Sequence, residues 1–102
     1  MSATVRVDPA DPVFAGHYPG FPILPGLFVV EHVHAAVRSQ LPGLRVTALQ
    51  RAKFLKPVFP GDSLTIETTL TEDGDGVRVA AVVATASGPV AEIRLRYSGG
   101  AS

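Results

Sequence analysis

Cysteine is absent from the chain, which excludes disulfides and thiolate metal sites. Charge of either sign is scarce. Nine basic and nine acidic residues cancel to a formal net charge of zero, and charged residues make up 18% of the chain. A neutral chain carries no electrostatic footprint for nucleic acid or a membrane surface. No apolar run is long enough to span a bilayer. The opening MSATVRVDPADP has no apolar core of the kind a secretory signal needs. The expectation is a cytoplasmic protein without nucleic-acid or membrane partners. Internal repeats and low-complexity tracts are missing too, and 102 residues suit one domain.

Apolar surface, in contrast, is plentiful. Hydrophobic residues make up 46% of the chain, yet a domain this small buries only about two-thirds of the surface its unfolded chain exposes. A partner subunit that covers the excess is expected. Val5 and Val7 alternate with polar residues as a short first strand would. Asp8 to Pro25 holds five prolines and reads as irregular loop. From Gly26 to about Leu41 the chain is free of internal proline and glycine, and Pro42-Gly43 stops it. Val29, Val30, Val33, Val37 and Leu41 form an apolar arc at helical spacing, which predicts a largely buried helix. After Gly43 the residues turn to Val, Thr, Ile and Leu. Strands are expected over Arg45–Val58, Ser63–Thr71, Val77–Ser87 and Val90–Tyr97, with a hairpin turn at Glu72–Gly76. One strand, one helix and four antiparallel strands make an α+β pattern.

The chemistry concentrates in GHYPGFPILPGLFVVE, from Gly16 to Glu31. Pro19, Pro22 and Pro25 fix φ at three points, so His17 and Glu31 are joined by a restricted segment. A neutral imidazole can accept a proton near neutral pH, and a carboxyl group can deliver one. From residues alone, a turn histidine in water is the plainer reading of His17. Glu31 shares a helix face with Leu27, His34 and Arg38, so a solvated stripe with Glu31 paired to Arg38 or His34 is the plainer reading. Gly26 opens the helix, where backbone N–H groups are unpaired at the positive end of the dipole. It is either a helix-start glycine or a donor to a developing oxyanion. His32 and His34, two apart on a helix, point to different sides and do not suit one metal ion. No metal or cofactor is expected. Arg51, Lys53 and Lys56, with Arg94 and Arg96, form either solvated strand faces or a basic rim.

The same segment resembles the signature of the β-hydroxyacyl-acyl carrier protein dehydratases of the FabZ/FabA type. Their pattern is Gly-His-Phe-Pro, two variable residues, Pro-Ile-Met-Pro-Gly, then an apolar run ending in Glu or Asp. Gly16, His17, Pro19, Pro22, Ile23, Pro25, Gly26 and Glu31 fall in register. Tyr18 stands for the usual Phe and Leu24 for Met. KFLKPVFPGDSL, from Lys53 to Leu64, resembles the family's later strand motif. Length suits a single domain, taken over residues 1–98, with a flexible tail expected at 99–102. The resemblance implies a hotdog fold. It implies dehydration of a (3R)-hydroxyacyl-acyl carrier protein to the trans-2-enoyl product. His17 would act as base and Glu31 as acid, with Gly26, Pro25, Tyr18 and Phe28 around the oxyanion and substrate. Its acid must hold a proton near neutral pH, which calls for an apolar setting. The implied partners are an acyl carrier protein, which the basic rim would dock, and a second copy sharing its sites. A larger oligomer, or a heteromer with another hotdog or synthase subunit, falls within the same resemblance. A hotdog acyl-CoA hydratase or thioesterase, and a non-catalytic acyl-binding or partner-binding subunit, are the alternatives. The chain departs from the family where Glu31-His32-Val33-His34-Ala35 replaces Glu-Ala-Met-Ala-Gln.

Overall fold

A computed structural model describes residues 2–10 and 26–99 of the chain. The elements run β1 (Ser2–Arg6), α1 (Gly26–Arg38), β2 (Leu44–Phe54), β3 (Ser63–Asp73), β4 (Gly76–Thr85) and β5 (Gly88–Gly99). The five strands form one antiparallel sheet in the order β1-β3-β4-β5-β2. Among the described residues this is the α+β architecture expected of a hotdog domain, one helix against one face of the sheet.

Each strand from β3 to β5 alternates between the two faces, as half-buried strands do. Leu64 and Ile66 of β3, Val79, Ala81 and Val83 of β4, and Ile93, Leu95 and Tyr97 of β5 point to the buried face. Helix α1 meets them with Val29, Val33 and Val37, spaced by four and all buried. Val30 and Leu41 lie at the margin of that contact. Arg38 in the last turn complements the helix dipole.

The β3–β4 hairpin closes through Gly74 and Asp75 between the paired residues Asp73 and Gly76. Gly74 sits at φ +63°, a left-handed conformation that favours glycine. Several boundaries differ from the sequence expectation by a few residues, and three have a local cause. The helix ends at Arg38, not near Leu41, because the chain tightens there: the Gln40 amide already donates to Val37 C=O at 2.9 Å, an i to i−3 bond. Strand β2 ends at Phe54, not Val58. The Leu55 and Lys56 amides both turn to Val90 C=O, and Pro57 has no N–H with which to extend the ladder. Strand β1 ends at Arg6, one residue before buried Val7, whose amide donates to Asp62 C=O at 2.8 Å.

Strand β2 is the outlier in burial. It lies at a sheet edge, and all its residues but Leu44 are exposed. Register shifts at Thr47 and Gln50 are β-bulges that distort this edge. Val46, Leu49 and Phe54 are among the large apolar side chains left uncovered, Leu49 at 53% exposure. Among the described residues no helix is long and apolar enough to cross a membrane.

Candidate active site

The beginning of α1 lies where the two sequence motifs meet. Gly26 from the first faces the Phe54 ring from the second. A Cβ placed on Gly26 would lie 2.7 Å from Phe54 Cζ, closer than carbon atoms pack. The small residue therefore has a steric reason here, at the helix start where backbone N–H groups have no intrahelical acceptor. A cavity of about 340 Å³ opens beside this contact, walled by Val29, Leu55, Lys56, Pro57 and Val58. Gly26→Ala should destabilise the fold by about 1 kcal/mol, the cost of pushing a half-exposed ring off its rotamer. Urea denaturation of a double-mutant cycle checks this. The cost should vanish in a Phe54→Ala background, and additive costs would mean the two residues do not meet.

Glu31 lies one turn further along α1, exposed, on the wall of a second groove of about 340 Å³ between the helix and β2. Val30, Val46, Leu49 and Leu95 make that groove mostly apolar. Glu31 forms no ion pair with Arg38 or His34 among the described residues, so the solvated-stripe pairing is not formed. The His34 ring instead turns toward the core and meets the Tyr97 hydroxyl, with Nδ1 and Oη 2.6 Å apart. The rings also stack, with centroids 5.7 Å apart and planes inclined by 21°. Tyr97 is fully buried. Burial raises the pKa of its phenol above 10.0, partly offset by the positive charge of Arg38. Phe28 is half-buried against the core. His17, Tyr18 and Pro25 lie outside the described residues.

Tyr97 and its link to His34 are not apparent from sequence. A strand tyrosine in an apolar run signals only that its hydroxyl needs a partner. The partner stands 63 positions away.

The basic rim resolves into several surfaces. Arg51, Lys53, Arg94 and Arg96 lie on the sheet face opposite the helix, whereas Lys56 lies beyond β2 and donates to Ser87 C=O at 2.8 Å. Arg96 is engaged by Asp73 and Asp75. Arg51 stands directly opposite Arg94 in register, and neither has an acidic partner among the described residues.

A family model described as ApeI dehydratase, ApeI-like, matches residues 1–89. The chain belongs to the ApeI-like dehydratase family. The 3-hydroxyacyl-[acyl-carrier-protein] dehydratase FabZ of Polynucleobacter necessarius is 33% identical to this ApeI-like chain over 99 residues, 89% of the chain and 66% of that protein. The chain thus spans just under two-thirds of that curated relative. In structure, the dehydratase heterocomplex ApeI:P from Xenorhabdus doucetiae superposes with a TM-score of 0.78 at 21% identity, over 95% of this chain and 85% of that one. An (R)-hydratase from A. caviae involved in PHA biosynthesis superposes with a TM-score of 0.75 at 20% identity, over 96% and 92%. At those identities the two structures establish the hotdog fold.

Proposed function

We propose that this chain removes water from a (3R)-hydroxyacyl thioester carried on an acyl carrier protein, in fatty acid or polyketide (polyene) biosynthesis. The observation that carries the reading is the match to ApeI-like dehydratases over residues 1–89, with His17 and Glu31 retained at the dehydratase spacing. His17 takes the proton from C2. The electrons of that C–H bond form the C2=C3 double bond, and the C3–O bond breaks. Glu31 gives its proton to the departing hydroxyl, which leaves as water. The charge that gathers on the thioester oxygen is met by the Gly26 N–H at the helix N-terminus. Solvent then returns a proton to Glu31 and removes one from His17.

Two copies complete the site in this reading. Among the described residues strand β2 is a sheet edge, with exposed Val46, Leu49 and Phe54, a surface that invites strand pairing with another chain. A second copy there would cover the groove beside Glu31 and give its carboxyl the apolar setting an acid needs. His17 of one subunit would serve Glu31 of the other. Inactive His17→Ala and inactive Glu31→Gln chains, co-expressed so that subunits mix, should then regain activity. Random mixing makes about half the dimers mixed, each with one intact site, so roughly a quarter of wild-type turnover should return. Mixed dimers without recovery would place the two residues in one chain's site. The carrier, which would bring the acyl group as a thioester in the cytoplasm, is expected to add salt-sensitive contacts through basic residues.

A further inference from the structure

We propose that His34 is a positioning residue for Glu31: Tyr97 holds its ring from the core side, leaving Nε2 to carry the proton and donate it to the Glu31 carboxyl. The proposal rests on the dehydration reading and assigns a role to a residue that reading does not use.

Tyr97 fixes the orientation of the His34 ring. Its side chain is fully buried, and His34 Nδ1 is its hydroxyl's partner at 2.6 Å. A buried phenol that keeps its proton must donate it, since a buried O–H without an acceptor loses a full hydrogen bond. Among the described residues no other acceptor is bonded to that hydroxyl, so Nδ1 takes the acceptor role. In a neutral imidazole the proton then resides on Nε2. The stacked contact holds the ring in that orientation. The two ring nitrogens flank Cε1 and point away from each other, so with Nδ1 directed to the Tyr97 hydroxyl, Nε2 is directed away from it, and His34 lines the same groove as Glu31.

Residues three apart on a helix have Cβ atoms about 5–6 Å apart, so an exposed Glu31 needs only a rotamer change to reach Nε2. Among the described residues, competing donors are few. The groove wall is mostly apolar, and the Thr47 hydroxyl is committed to Arg96 C=O at 3.2 Å. A neutral carboxyl can accept from Nε2–H at its carbonyl oxygen while its O–H faces the C3 hydroxyl of substrate. As that proton leaves, charge develops on the carboxyl, and the bond from Nε2–H strengthens. The contact thus favours the transition state over the ground state. The Nε2 proton itself is not transferred.

Two substitutions separate this role from a structural one. The amide of His34→Asn falls near the Nδ1 position, so it can still accept from Tyr97 but offers nothing at Nε2. The longer His34→Gln places an N–H near Nε2 and leaves Tyr97 without its acceptor. The expected result is that His34→Asn melts near wild type while kcat falls roughly 10- to 100-fold, the factor of a hydrogen bond to a charged group, with KM little changed. His34→Gln should melt lower yet recover most of kcat. The reverse pattern, Asn active and Gln inactive, would make His34 a packing residue and overturn the proposal. A second measurement does not need turnover. Nitrogen-15 NMR of the wild-type protein should show His34 as the Nε2–H tautomer, with an Nε2 signal that moves in Glu31→Ala. An Nδ1–H tautomer, or a signal indifferent to Glu31, would overturn the proposal even if the protein dehydrates nothing. Should the wild type dehydrate and His34→Asn keep full kcat, only the His34 assignment falls.

Discussion

Replacing His17 with alanine should lower dehydration turnover by roughly 100- to 10,000-fold, the range lost when a general base is removed. The C2 proton of a thioester is weakly acidic, and water in its place is a poorer, unpositioned base. Pro19, Pro22 and Pro25 each fix φ between His17 and the helix, so the sequence joins the proposed base to the helix by a restricted segment. The substitution should leave the fold standing. The core is built from Val29, Val33 and Val37 against β3, β4 and β5, and none of these residues is altered. Melting within a few degrees of wild type, combined with lost turnover, is the expected pair of observations. A folded His17→Ala protein that turns over near the wild-type rate would remove His17 from the reaction.

Glu31→Gln should be nearly as damaging, for a different reason. The amide keeps the size of the side chain but has no acidic proton, so the hydroxyl must leave without protonation. Glu31 is exposed on the groove wall. A surface substitution of this kind changes stability by no more than about 0.5 kcal/mol. The expected signature is therefore a collapse of kcat with an unchanged unfolding midpoint in urea. Unchanged kcat with altered stability would make Glu31 a surface residue after all. Because a single chain leaves this carboxyl exposed, the acid role predicts that conditions dissociating the subunits abolish turnover before they unfold the chain.

The helix and the four long strands are legible in the sequence because their signals are local. Val29, Val33 and Val37 mark one helix face, and Gly74 marks a turn that needs φ above zero. The element ends are less legible. Whether the chain stops at Arg38 or Leu41 depends on which carbonyl the Gln40 amide finds, and the sequence leaves both open. Contacts between distant segments are not legible at all. Nothing local brings Gly26 to Phe54 or His34 to Tyr97. Nor do the residues of β2 announce bulges at Thr47 and Gln50, because a bulge follows from how two strands pair and not from either strand alone. The candidate site divides along the same line. Glu31 and Gly26 are found through a motif in one segment, while the groove beside Glu31 takes its walls from α1, β2 and β5.

The central claim is that this chain dehydrates a carrier-bound hydroxyacyl thioester. Its most direct test is mass spectrometry of a (3R)-hydroxyacyl-acyl carrier protein incubated with the purified protein, alongside the matching coenzyme A thioester and the His17→Ala variant. The claim predicts loss of one water from the carrier-bound substrate, time-dependent and absent with His17→Ala, with the thioester intact. Release of the free acid would instead identify a thioesterase. An unchanged mass in every arm, from protein shown to be folded, would contradict the claim.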